Sequence, residues 1–167
     1  MKLRDLIAET PYVTETRGDL DTEIYEITSG SKEKTNSGLF FCIVGARFDA
    51  HDYAFEAVEN GCVALIVERF LELDVPQVLV SNGRAAMSRI AMAFYGYPAR
   101  KMRMIGITGT KGKTTTTYLL KSILEKAGLK CGLIGSTGSM IAEKHLDGKL
   151  TTPDPIDLQK MLHRMAE

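Results

Sequence analysis

The chain has 167 residues, 44% of them hydrophobic and 25% charged, which is the length of one domain or of one domain and part of a second. Its 21 basic and 21 acidic side chains cancel to a formal net charge of +0, so composition gives no electrostatic basis for a nucleic-acid or membrane-surface partner. The longest apolar run, CVALIV at 62–67, is far too short to span a bilayer, and the N-terminus lacks the apolar core of a signal peptide.

Three cysteines, Cys42, Cys62 and Cys131, show no CxxC spacing. Cys42 and Cys62 lie inside apolar runs, where a cysteine usually acts as a small buried hydrophobe. We therefore predict no disulfide framework and expect a reducing cytoplasm to be the location of the protein.

The first hundred residues alternate between helix and strand patterns. Apolar spacing predicts helices at 2–8, 51–60 and 85–95, and strands at 24–31, 39–45, 62–68 and 77–81. The last helix ends at YGYPARK, where Gly96 and Pro98 break it. We place a domain boundary there, which predicts a small α/β domain over 1–100 and the start of another over 101–167.

The second part opens with a strand pattern, RMIGIT at 103–108, followed by the glycine-rich stretch GITGTKGKTTTT at 106–117. An amphipathic helix pattern follows and ends at Gly128, and LKCGLIGSTG then predicts a strand over 129–135. This order predicts a βαβ unit of a parallel sheet with a phosphate-binding loop between its first strand and its helix.

The loop chemistry follows from its residue types. Glycines let main-chain N–H groups approach phosphate oxygens, and the helix N-terminus from about Lys113 adds a positive dipole end. Lys113 can reach the terminal phosphates, and the Thr114 hydroxyl can ligate Mg²⁺. The glycines fall at 106, 109 and 112, whereas a strict G-x-x-x-x-G-K-[ST] loop needs glycine where Ile107 stands.

This variant loop, TGTKGKTTT, resembles that of the Mur ligases, the ATP-dependent amide-forming enzymes of peptidoglycan precursor synthesis. FYGYPARKMRMIGITGTKGKTTT at 94–116 and LTTPDPIDLQ at 150–159 are similar to segments of the members that add the third peptide residue. The stretch from Ile27 to Glu68 is similar to their N-terminal uridine-nucleotide domain. Where the family usually has Asp-Ser-Arg, this chain has Gly30-Ser31-Lys32.

The resemblance implies three groups of site residues. ATP would be bound by Gly109, Thr110, Lys111, Gly112, Lys113, Thr114 and Thr115, with Lys113 and Thr114 as the catalytic pair and Thr114 on magnesium. The uridine part of the substrate would contact Ser29, Ser31, Ala46, Arg47 and Phe48. Thr151 and Thr152 would contact the UDP-muramoyl substrate, although a helix N-cap is an alternative role for them that Asp154 alone could fill.

The implied reaction is ATP-dependent. The D-glutamate carboxylate of UDP-N-acetylmuramoyl-L-alanyl-D-glutamate is phosphorylated, and the amine of diaminopimelate or L-lysine attacks the acyl phosphate. Further metal ligands, a carbamylated lysine and the domain that binds the amino acid would lie beyond residue 167, so lysine and diaminopimelate stay open. The alternatives are a non-catalytic substrate- or nucleotide-binding module, or another glycine-loop ligase such as a folylpolyglutamate synthase, which has no use for a uridine domain.

A parallel sheet with so few strands has a physical consequence. Strands at 103–108 and 129–135 would expose apolar faces and an unpaired edge, which favours self-association. We therefore expect residues 1–100 to fold robustly and residues 101–167 to be marginal or to self-associate.

Overall fold

The computed structural model describes residues 1–45, 48–142, 144–146 and 153–167. The chain forms two compact units, Met1–Gly96 and Tyr97–Glu167. None of the helices in these described ranges combines the length and the apolar character needed to cross a membrane.

The first unit is a five-stranded sheet with helices. Its elements are α1 (Leu3–Ile7), β1 (Val13–Arg17), β2 (Glu26–Thr28), β3 (Gly38–Phe41), a 3-10 helix (Ala50–Tyr53), α2 (Ala54–Glu59), β4 (Cys62–Val67), β5 (Gln77–Val80) and α3 (Gly83–Phe94). The strand order is β1-β5-β4-β3-β2. Strands β2 to β5 are parallel, and β1 pairs with β5 antiparallel.

The central strands of this sheet are buried on both faces. One face packs Phe40, Leu65 and Val67 against α2, and the alternating residues of β3 and β4 are buried as well. The thiols of Cys42 and Cys62 lie in the core between the sheet and α2. Burial raises the pKa of the Cys42 thiol to about 12. The predicted role of these two cysteines as buried hydrophobes is confirmed.

Most predicted elements of this unit are present with shorter bounds. Strand β1 was not predicted, because VTETR alternates without a continuous apolar run. It is an edge strand whose side chains are exposed or half-buried, so its position depends on the antiparallel pairing with β5 and not on a hydrophobic signal of its own.

The second unit contains a 3-10 helix (Pro98–Lys101), α4 (Lys113–Lys126), β6 (Gly132–Gly135), β7 (Gly138–Ile141), β8 (Lys144–Leu146) and α5 (Pro155–Ala166). Strands β6, β7 and β8 form an antiparallel sheet. Helix α5 packs on the 3-10 helix. Among the described residues, α4 buries no side chain fully.

The α/β class is confirmed, but the strand predicted over 103–108 is wrong. Residues 103–109 have no regular secondary structure, and β6 pairs antiparallel with β7 instead of parallel with an earlier strand. The predicted βαβ unit therefore lacks its first strand. Met104 is 57% and Ile105 55% exposed, and a strand needs a hydrogen-bonded neighbour that the described part of this unit does not supply.

Candidate functional site

The first candidate site lies at the carboxyl edge of the parallel strands in the first unit. Loops that follow adjacent parallel strands meet at one edge of a sheet, where open α/β sheets bind ligands. Ser29 and Ser31 follow β2, and Phe48 follows β3. Ala46 and Arg47, which were predicted with them, lie outside the described residues.

Ser31 is held in place by the end of α2. Its hydroxyl donates to Glu56 Oε2 at 2.5 Å, and its carbonyl accepts from Asn60 Nδ2 at 2.9 Å. Glu56 and Asn60 are four residues apart and so lie on one side of the helix end. The loop after β2 is therefore fixed by two contacts to a distant segment of the sequence.

Gly45 and Phe48 lie close together after β3. Gly45 N–H donates to the Phe48 carbonyl at 2.9 Å, and a Cβ at position 45 would lie 2.9 Å from that same oxygen. Glycine is therefore required there by space. The Phe48 ring is 66% exposed, which leaves an aromatic face available beside the sheet edge.

His51 closes a polar network under this edge. Its Nδ1 lies 2.5 Å from Asp49 Oδ1, and its Nε2 accepts the Glu68 backbone N–H at 3.0 Å, so the ring is neutral with the proton on Nδ1. Arg69 donates to the second Asp49 oxygen at 2.5 Å. His51 is buried, and this arrangement gives it a structural part in holding the loop to β4.

Asp49 is the charged centre of that network. Burial by itself would raise the pKa of its carboxyl group, but hydrogen bonds from the His51 backbone, Arg69 and the His51 ring outweigh burial and lower the pKa to about 2. Glu68 continues the network on the other side, since its carboxylate accepts from Gly83 N–H at 2.7 Å and Val44 N–H at 3.3 Å.

The second candidate site is the glycine loop before α4. Gly109 has φ +150 and Gly112 has φ +78, values that L side chains rarely adopt. Among the described residues, the N–H groups of 109–112 donate to no other group. Helix α4 begins at Lys113 as predicted, and its N-cap, Gly112, provides no side-chain cap. The loop therefore offers open N–H donors at a helix N-terminus, the arrangement that binds phosphates.

The side chains of the predicted catalytic pair lie within this site. Lys113 Nζ donates to the Gly109 carbonyl at 2.5 Å and so folds back over the loop. The Thr114 hydroxyl lies 3.3 Å from that of Ser136, in the turn between β6 and β7. Exposed hydroxyl oxygens fit Mg²⁺, which binds oxygen ligands and retains several waters. Thr110, Lys111 and Thr115 are likewise exposed.

The last two predicted residues, Thr151 and Thr152, lie outside the described residues. Helix α5 shows that the capping alternative does not need them. Asp154 is its N-cap and accepts from Asp157 N–H at 2.9 Å, with Pro155 as the first helical residue. Among the described residues, Asp154 is the one whose side chain caps α5.

Sequence reasoning missed Glu56, Asn60 and Ser136, which contact the predicted site residues Ser31 and Thr114. It also missed Glu68, whose carboxylate accepts from the backbone N–H groups of Val44 and Gly83. Glu56 contacts a residue 25 positions away, and Ser136 contacts one 22 positions away. No local pattern marks such pairs. The only available signal was a polar residue pair, Glu56 and Asn60, at helical spacing beside the apolar face of α2.

A glycine loop at a helix N-terminus, with N–H groups that donate to no other described residue, is typical of proteins that bind nucleotide phosphates. Residues 107–167 match the Mur ligase middle domain. The chain belongs to the Mur ligase family.

Two similar relatives share one name. The chain is 41% identical over all 167 residues to the UDP-N-acetylmuramoyl-L-alanyl-D-glutamate–2,6-diaminopimelate ligase of Geobacillus thermodenitrificans, of which it covers 34%. Identity to the ligase of the same name from Halalkalibacterium halodurans is 46% over 145 residues, 87% of this chain and 30% of the relative. The chain therefore spans about a third of the length of these relatives.

Solved structures agree with the fold. A UDP-N-acetylmuramoyl-L-alanyl-D-glutamate–2,6-diaminopimelate ligase matches with a TM-score of 0.77 at 22% identity, over 99% of this chain and 33% of that chain. MurF from Acinetobacter baumannii matches with a TM-score of 0.66 at 27% identity, over 97% of this chain and 32% of that chain.

Proposed function

We propose that the chain is the amino-terminal part of an ATP-dependent ligase that adds diaminopimelate to UDP-N-acetylmuramoyl-L-alanyl-D-glutamate. The observation that carries the proposal is the open glycine loop before α4, within a chain that aligns over its full length with ligases of that name. Those names favour diaminopimelate over L-lysine as the acceptor. The free, buried thiols of the first unit fit a reducing cytoplasm.

In the proposed reaction, a carboxylate oxygen of D-glutamate attacks the γ-phosphorus of ATP and ADP leaves. The amine of diaminopimelate then attacks the acyl carbon, inorganic phosphate leaves, and the amine loses a proton. Gly109 to Thr115 would hold the phosphates through main-chain N–H groups, and the Lys113 ammonium would turn from the Gly109 carbonyl to phosphate oxygens. Magnesium, held at Thr114, would neutralise phosphate charge.

The first unit would bind the uridine end of the substrate. Ser29, Ser31 and the exposed Phe48 ring follow adjacent parallel strands, so they present hydroxyls and an aromatic face at one edge. Hydroxyls pair with the polar groups of a sugar nucleotide, and an aromatic ring can stack on a base. Ala46, Arg47, Thr151 and Thr152 belong to the same proposal on sequence grounds alone.

A second proposal concerns the polypeptide of 167 residues by itself. Because it spans 34% of its relative, we propose that it binds the UDP substrate and ATP phosphates without turnover, as a binding module. The longer protein would carry out the ligation.

Phosphate release tests both proposals. The chain is incubated with Mg-ATP, UDP-N-acetylmuramoyl-L-alanyl-D-glutamate and either meso-diaminopimelate or L-lysine, and binding of each ligand is measured by calorimetry. We expect binding of the UDP substrate and of Mg-ATP with no phosphate release. Release that requires diaminopimelate would support the ligase and overturn the binding-module proposal, whereas failure to bind either nucleotide would overturn both.

A further inference from the structure

We propose that Glu56 is a positioning residue that sets the hydrogen-bond polarity of Ser31, so that Ser31 accepts a hydrogen bond from an N–H or O–H group of the uridine moiety. This inference rests on the proposed uridine site and adds the chemistry of one contact. It starts from the 2.5 Å bond between the Ser31 hydroxyl and Glu56 Oε2.

The direction of that bond follows from the groups involved. A carboxylate has no proton to donate, so the Ser31 hydroxyl gives its single proton to Glu56. Two lone pairs then remain on Ser31 Oγ, and any additional partner must be a donor. A uridine nucleotide has few donors, namely the imide N3–H of uracil and the ribose hydroxyls, because its carbonyl and phosphate oxygens are acceptors.

Contacts within the protein hold the Ser31 loop and the orientation of the Ser31 hydroxyl. Asn60 Nδ2 bonds the Ser31 carbonyl at 2.9 Å, and the Asn60 carbonyl accepts from Thr35 N–H at 2.8 Å. The loop is thus fixed to the end of α2 at its backbone, while Glu56 sets the hydroxyl. Removal of Glu56 would leave the backbone contacts in place and free the hydroxyl to rotate. Its effect on ligand binding can therefore be distinguished from an effect on folding.

Calorimetry on the 167-residue chain tests the inference with UDP, 3-methyl-UDP, 2′-deoxy-UDP and 3′-deoxy-UDP. The unsubstituted chain should bind one analogue roughly five- to tenfold more weakly than UDP, the size of one lost hydrogen bond. Ser31→Ala should bind UDP and that analogue equally. This comparison needs no Glu56 variant and identifies which donor Ser31 contacts.

Variants of Glu56 test the positioning role. Glu56→Ala should weaken UDP binding several-fold, whereas Glu56→Gln should stay within about twofold because its amide oxygen still accepts. The matched control is Glu59→Ala, an exposed carboxylate of α2 with no hydrogen bond to another described residue, which should change nothing. In the Ser31→Ala background, Glu56→Ala should add no loss, since it acts through Ser31.

The outcomes distinguish a failure of the proposed uridine site from a failure of the role given to Glu56. No UDP binding by the unsubstituted chain would overturn the uridine site and this inference together. UDP binding with additive Ser31 and Glu56 losses, with Glu56→Gln as weak as Glu56→Ala, or with no discrimination among the analogues, would overturn the inference alone. Thermal midpoints measured on the same samples confirm that each variant is folded.

Discussion

At the scale of single residues, Lys113 is the side chain that we expect to contribute most to ATP binding. Its ammonium lies over the glycine loop at Gly109, where phosphate oxygens would replace the carbonyl as the acceptor. Lys113→Met should weaken Mg-ATP binding roughly ten- to a hundredfold, because a charge-assisted hydrogen bond is lost. Calorimetry measures the change.

The matched control is Lys126→Met, which removes the same charge from the last turn of the same helix. It should bind Mg-ATP like the unsubstituted chain. Equal losses for both variants would show that net charge, and not the position of Lys113, governs binding.

The carboxyl group of Asp49 makes the free energy of unfolding depend on pH over a defined acidic range. The pKa of its carboxyl group is about 2 in the folded chain and 3.8 as the ordinary value, so the folded state holds the charged form. The stabilisation is complete above about pH 4 and is lost as pH falls through 2. Asp49→Asn should therefore lower the thermal midpoint at pH 5, and the difference from the unsubstituted chain should shrink towards pH 2.

The control for this prediction is Asp74→Asn, an exposed carboxylate with no recorded partner among the described residues. Its thermal midpoint should follow that of the unsubstituted chain across the same range. A difference for Asp49→Asn that stays constant from pH 5 to pH 2 would contradict the role given to the charge of Asp49.

At the scale of elements, α3 is fastened at its start by two side chains. Asn82 accepts from Ala85 N–H at 3.0 Å as the N-cap, and Glu68 accepts from Gly83 N–H at 2.7 Å. Asn82→Ala should cost about 1 kcal/mol, a fall of roughly 4–8 °C in the midpoint of a unit of this size. Arg89→Ala, an exposed site within α3, should cost far less, and thermal denaturation of both variants compares them.

Helices were predictable from sequence here because their signals are local. Helix α4 starts at Lys113 after glycine, and Gly128 with φ +83 follows its end, as the pattern indicated. The segment 103–108 shows the limit of such signals. Its apolar residues favour a strand, but a strand exists only with a partner, and no local pattern supplies one.

The candidate sites divide in the same way. The glycine loop could be recognised from residues 109–115 because the phosphate binding proposed there would use consecutive main-chain groups. The partners of Ser31 and Thr114 could not be read, since Glu56 and Ser136 reach them only through the fold.

At the scale of the whole molecule, the two units differ in how much apolar surface they bury. In the first unit both faces of β3 and β4 are covered, whereas the buried apolar side chains among the described residues of the second are Leu133, Ile156, Leu162 and Pro98. Helix α4 leaves Leu119 60% and Ile123 65% exposed, four residues apart on one face. Burial of such a face is favourable, so the chain should self-associate at this surface.

Sedimentation velocity over a range of concentrations measures that association. The unsubstituted chain should exceed its monomer mass of 18.4 kDa as concentration rises, and Ile123→Lys should return it towards the monomer, because a charged side chain cannot be buried unpaired. Ser122→Lys adds the same charge at the neighbouring exposed position and should leave association unchanged. If both variants dissociate the chain equally, net charge is the cause and the apolar face of α4 is not the contact. If the unsubstituted chain stays monomeric at every concentration, the exposed face is too small to hold two copies together.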